Sequence, residues 1–163
     1  ANEQYDGYLR DGCVFREDID IFDKMAVQIR YANQIQVSYS LTAYSPYEGY
    51  RIAFNGTKGR LEAWIKERQP WEEPEQDEIL LTTNFGKREI FTVTGNQEGH
   101  GGGDERLRKQ VFEPGQDPYN QSAGSRDGAM ACLIGIAARN SIDTGQPVKI
   151  ASLTSITPTH NRK

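Results

Sequence analysis

No apolar run in this chain approaches the length of a bilayer span, and no charged-then-apolar leader opens it. A membrane partner is not expected. The compartment stays open between cytoplasmic and exported, because a chain that starts at Ala1 reads as a fragment or a processed product. Cysteine is scarce: Cys13 and Cys132 lie far apart, allow one bridge at most, and form neither metal-ligand spacing nor a redox motif, so both read as structural thiols. Histidine is equally scarce, with His100 and His160 alone, and a metal site built from His100, Asp104 and a glutamate has spacing unlike zinc helices. Positive charge is not in excess either. Against 19 lysines and arginines stand 23 carboxylates, a net charge of -4, and the segment Lys66–Glu78 accounts for that surplus with two cations against six acids. The remainder is balanced and lacks the basic stripe that nucleic acid requires.

What is present suits one globular domain. A chain of 163 residues, 36% hydrophobic, is long enough for a single core, and residues 1–163 read as one domain with a loose tail over 154–163. Apolar alternation at Met25, Val27, Ile29 and Tyr31 resumes, after Ala32-Asn33-Gln34, at Ile35, Val37, Tyr39 and Leu41, which predicts a hairpin with one buried face. A second hairpin turns at Asn55-Gly56-Thr57-Lys58-Gly59, and a third pair, 79–83 and 89–94, flanks Asn84-Phe85-Gly86-Lys87. Between the last two pairs runs a polar insertion, Glu67–Asp77, whose prolines block regular pairing and whose one anchor is Trp71.

Beyond the strands the period changes. Residues 105–112 read as a helix that Asp104 is placed to cap. After an irregular stretch a long helix opens near Ser125, with Ser125 as natural cap, and closes at Gly145. Met130, Leu133, Ile134, Ala137 and Ile142 form its apolar stripe, and Pro147–Ile150 reads as a final short strand. Strands first and helices after them predict an α+β fold: a two-layer sandwich with a largely antiparallel open sheet and helices packed on one face. His160, in the polar tail, reads as solvated.

The stretch that asks for a chemical explanation is Gly99-His100-Gly101-Gly102-Gly103-Asp104. Glycines let the backbone approach a ligand closely, and an imidazole exchanges a proton near neutral pH. A connector needs the glycines and a helix cap needs Asp104, but neither needs a histidine. Two phosphate-binding readings fail. A P-loop ends in Gly-Lys-Ser/Thr, whereas this loop ends Gly103-Asp104-Glu105, and the dinucleotide fingerprint finds Asp104 at its third glycine. No cofactor-binding residue is expected in this chain. Tyr44 and Tyr47, in the turn Tyr44–Tyr50, offer flat bodies with polar tips that suit a sugar, with rim packing as the competing role. Arg126 and Asp127 at the start of the long helix either reach a ligand or cap the helix.

Three ordered pieces resemble one family: the run from Tyr47 to Glu62, the Gly99–Asp104 loop, and Asp127-Gly128 through Ala137-Ala138-Arg139-Asn140-Ser141 to Gly145–Ile150. Together they resemble the C-terminal domain of Gfo/Idh/MocA oxidoreductases, from about Cys13 to Leu153. The resemblance implies a substrate-side half of an NAD- or NADP-dependent sugar or polyol oxidoreductase, whose partner is an N-terminal Rossmann domain outside this chain. It also implies homo-oligomer contacts through the sheet and a domain inactive by itself. The loop is similar as well to that of a branch that hydrolyses glycosides with bound NAD, where its histidine stands at the reacting sugar. On that basis His100 is the candidate catalytic base, Asp104 the candidate residue to orient it or touch substrate, and Tyr44, Tyr47, Arg126 and Asp127 the candidate substrate contacts. A non-catalytic carbohydrate-binding or assembly module is the alternative, and part of an NAD-dependent glycoside hydrolase the second.

Overall fold

A computed structural model describes residues 3–9, 11–13, 15–72, 76–95, 99–113, 115 and 117–159. It comprises two compact units, Ala1–Tyr44 with Thr159–Lys163, and Ser45–Pro158. His160 lies outside the described residues.

The first unit holds a short helix α1 (Glu3–Asp6) and an antiparallel hairpin of β1 (Lys24–Arg30) and β2 (Gln36–Thr42). Met25, Val27 and Ile29 are half-buried between exposed neighbours, the period of two that the sequence carries. The turn closes where the Tyr31 amide donates to the Ile35 carbonyl at 2.9 Å and the Asn33 carboxamide oxygen accepts from the Ile35 amide at 3.2 Å. Gln34 there takes the left-handed conformation at φ 69°.

The second unit contains a four-stranded antiparallel sheet in sequential order: β3 (Glu48–Gly56), β4 (Gly59–Arg68), β5 (Gln76–Thr83) and β6 (Arg88–Thr94). Short turns join β3 to β4 and β5 to β6, so turn signals fix those two pairings, while β4 pairs with β5 across the insertion. A bulge at Glu48/Gly49 opens the sheet, with Gly49 at φ 157°. A Cβ on Gly49 would strike the Ile65 carbonyl of the facing strand, so only glycine fits. The register sorts side chains onto two faces. Ile52, Phe54, Leu61, Ile79, Phe91 and Val93 share the apolar face, and Arg51, Arg60, Glu62, Trp64, Lys66 and Glu78 the polar one.

Helices follow the strands: α2 (Gly103–Phe112), preceded by a tight turn over Gly99–Gly102, and α3 (Ser125–Thr144), followed by a single 3-10 turn over Ile150–Ser152. The chain is thus α+β with open antiparallel sheets. Contacts between elements run along the strand ladders, between α2 and the preceding turn, and between α3 and the 3-10 turn. Among the described residues Ala137 is the one buried hydrophobic side chain, and the larger side chains of the sheet are exposed or half-buried.

Several local expectations need correction. The six strands form a pair and a quartet, not one sheet. Pro147–Ile150 is not a strand: a proline has no amide to donate, no strand pairs there, and the chain turns into the 3-10 turn instead. The cap of α3 is Gly124, not Ser125, which is already helical, and α3 ends as expected on left-handed Gly145 at φ 65°. The cap of α2 is left-handed Gly102, so Asp104 sits inside the first turn and does not cap it. Trp71 does anchor the described part of the insertion, its ring meeting Tyr47 edge-on at 5.9 Å.

Candidate functional site

The Gly99–Asp104 loop builds its geometry from three successive left-handed residues: His100 at φ 50° and ψ 44°, Gly101 at φ 65°, and Gly102 at φ 87°. A glycine adopts this region freely, but a histidine there costs on the order of 1–2 kcal/mol. The turn redirects the chain into α2, and the first turn of α2 carries Asp104 back toward the loop. Both Asp104 oxygens lie against His100 Nδ1, at 3.0 and 3.1 Å. A carboxylate only accepts, so Nδ1 carries the hydrogen and donates it, which leaves Nε2 with a free lone pair whenever the ring is neutral. His100 is 86% exposed and Asp104 55%, so Nε2 faces solvent and not a core. The pair is oriented as a proton acceptor.

The remaining expected contacts are distributed otherwise. Asp127, the third residue of α3, accepts the Gly124 amide at 2.8 Å and so reaches back to the cap residue of the helix. Arg126 donates to the Thr157 carbonyl, fastening the C-terminal segment to the start of α3. Tyr47 is half-buried against Trp64 and Trp71, at 6.1 and 5.9 Å between ring centres. Tyr44 is exposed and belongs to the first unit. The structure therefore brings together His100 and Asp104, and assigns Arg126, Asp127 and Tyr47 contacts within the fold.

A second concentration of charged and aromatic side chains lies on the polar face of the sheet, where sequence periodicity alone gave no warning. Arg51 and Lys66 stand over the Trp64 ring at 4.0 and 4.3 Å, and an open groove of about 850 Å³ runs past Arg51, Arg60, Glu62, Trp64, Lys66 and Glu78. The signal was the direct pairing of Arg51 with Trp64 across the ladder. Arg60 donates to Glu62 at 2.9 Å and to Asn55 at 2.7 Å. The Arg60 guanidinium holds the Glu62 carboxyl below its ordinary value, and Glu62 raises Arg60 in return. Neither His100 nor Asp104 lines this groove. Concavity and candidate chemistry are separate here, and the oriented His–Asp pair is the better guide to reactivity, because proton transfer depends on geometry first.

Two kinds of group can be tested against these residues. No set of three metal-ligating side chains gathers among the described residues, and no helix of theirs is long and apolar enough to cross a membrane. A nicotinamide dinucleotide does not fit the described residues: their strands are antiparallel, and the glycine turn leads into Asp104 and Glu105, where a pyrophosphate needs amides without competing carboxylates.

Comparison with known protein families matches residues 2–150 to the oxidoreductase family, C-terminal alpha/beta domain, of the Gfo/Idh/MocA group. The chain belongs to the Gfo/Idh/MocA oxidoreductase family. Within curated proteins it is similar to "Putative oxidoreductase YteT" of Bacillus subtilis (strain 168), with 36% identity over 155 residues. That alignment covers 91% of this chain but 36% of the relative, so this Gfo/Idh/MocA domain spans about a third of the relative's length. No solved structure matches.

Proposed function

We propose that this chain is the substrate-side domain of a longer oxidoreductase acting on a sugar or polyol hydroxyl, with His100 as the proton acceptor. The observation that carries the reading is the His100 Nδ1–Asp104 pair, which fixes the tautomer and leaves Nε2 open. Membership in an oxidoreductase family supplies the reaction class. Oxidising a hydroxyl removes a hydride from carbon and a proton from oxygen. Nε2 takes that proton, and Asp104 stabilises the imidazolium that results. The hydride acceptor, NAD or NADP, and its Rossmann domain belong to polypeptide outside this chain, and the described residues by themselves form one wall of the reaction site.

The experiment is His100→Gln in the polypeptide that carries this chain together with a nucleotide-binding domain. The expected result is a fall in kcat of about 10²–10⁴ with little change in substrate KM, the range typical of a positioned base. An unchanged kcat, or a longer polypeptide without any nucleotide-binding βαβ unit, sinks the reading. A second role, assembly into homo-oligomers, is favoured by the exposed sheet side chains Ile52, Phe54, Phe91 and Val93. Sedimentation across a concentration series tests it, and a strictly monomeric species at every concentration contradicts it.

A further inference from the structure

Strand β6 is an edge of the quartet. Among the described residues no strand pairs along its outer side, and every side chain of the strand is exposed. The Thr83 amide donates to the Lys87 carbonyl at 2.9 Å, so the ladder to β5 starts with the backbone of Lys87 turned inward. Antiparallel strands alternate in this respect: Glu89, Phe91 and Val93 also turn their backbone groups toward β5, and Arg88, Ile90 and Thr92 turn theirs outward. An outward row of amides and carbonyls takes up another strand unless proline or a bulge blunts it. β6 has no proline, and its register with β5 is regular.

Charge selects the strand that fits there. Lys87 and Arg88 stand at the start of β6, Asp77 and Glu78 stand on β5 beside its end, and none of these joins an ion pair among the described residues. Within one copy Arg88 and Glu78 do not meet, because Arg88 pairs with Thr82 and Glu78 with Thr92, roughly 13 Å farther along the strands. A second copy laid antiparallel along β6 about a two-fold axis exchanges the ends. With Ile90 opposite Ile90, Arg88 lies opposite the second copy's Thr92, and beyond that small side chain, on the same face, lies the second copy's Glu78. The two are then two strand spacings apart, about 10 Å, within the joint reach of their side chains. On the other face Lys87 comes opposite the second copy's Val93, with Asp77 beyond it. Neighbouring registers lose this match: centring on Glu89 sets two carboxylates against each other, and centring on Phe91 puts Gln76 in the place of Glu78.

We propose that β6 is a docking edge for a second copy of this chain, which adds its own β6 antiparallel in the register centred on Ile90 and joins two four-stranded sheets into one. Backbone hydrogen bonds hold the strands together, and Arg88 and Lys87 against the second copy's Glu78 and Asp77 fix the register at both ends. This rests on the assembly reading given above and supplies it with an edge and a register.

The test is sedimentation equilibrium of the longer polypeptide that carries this chain, as wild type, as Arg88→Glu, as Glu78→Arg, and as an equimolar mixture of the two variants. Wild type should associate reversibly into dimers that added salt weakens. Each variant alone sets like charges together at two symmetric places and should weaken its dimer about tenfold or more. The mixture should regain about that tenfold, because one end of the mixed dimer carries the reversed pair and the other end the native pair. Recovery also shows that both variants are folded, as the exposure of Arg88 and Glu78 leads one to expect. A mixture that binds no tighter than its components, or variants that associate as wild type does, overturns the docking edge and leaves the assembly reading standing. A wild type that is monomeric at every concentration overturns both.

Discussion

At the scale of single residues, His100 is held in a conformation that histidine avoids, and the glycines after it make that conformation continuous with the helix. Strain of this kind persists where something other than stability holds it in place. Replacing His100 with glycine should therefore leave the fold as stable or raise its stability by up to about 1 kcal/mol, measured by urea denaturation, while removing the proton acceptor. Asp104→Asn should keep the contact but offer a donor as well as an acceptor to Nδ1. The expected outcome is a mixture of ring tautomers, visible in the ¹⁵N shifts of His100, and a fall in kcat of the longer enzyme of about 10-fold or more, with KM held. The histidine itself was legible in the sequence because glycines and a helix cap leave it unexplained. The role of Asp104 was not, since spacing alone cannot tell a cap from a ring partner until the backbone shows that Gly102 already ends the turn.

At the scale of elements, turn chemistry carried the prediction and long helices obeyed their stop signals. Asn55–Gly59 and Asn84–Lys87 named their hairpins, and Gly145 ended α3 in the left-handed conformation. Pro147–Ile150 misled because an apolar-polar pattern describes a strand only when another strand is there to pair with it. Gly49→Ala should cost about 1–3 kcal/mol, read as a shift in the denaturation midpoint, because the bulge faces the Ile65 carbonyl with no space for a methyl group. The pairs Arg60–Glu62 and Lys109–Glu105 give a pH signature. Each glutamate is held below its ordinary value of 4.5, so its stabilisation is complete above that value and is lost as acid protonates the folded carboxyl. Unfolding followed from pH 7 down to pH 3 should show the loss beginning only below about pH 5, and Glu62→Gln with Glu105→Gln should flatten that slope.

At the scale of the whole molecule, the α+β class with open antiparallel sheets was readable from the order of periods, two and then 3.6. The separation of the six strands into a pair and a quartet was not, because alternation assigns faces within a hairpin and is silent on which hairpins join. The apolar face of the quartet, with Phe54 and Phe91 exposed, marks surface that this stretch of polypeptide does not close over by itself. The chain alone should consequently bind a hydrophobic dye more strongly, per residue, than the longer enzyme. Equal dye fluorescence from the two would place that face in solvent in both.

Both tryptophans of the chain, Trp64 and Trp71, converge on Tyr47, and Trp64 carries Arg51 and Lys66 against its ring. Indole emission is therefore a local gauge of the corner where β3 and β4 meet the insertion. A spectroscopist who follows it will see that corner melt or tighten, because the histidine loop and α3 carry no indole of their own.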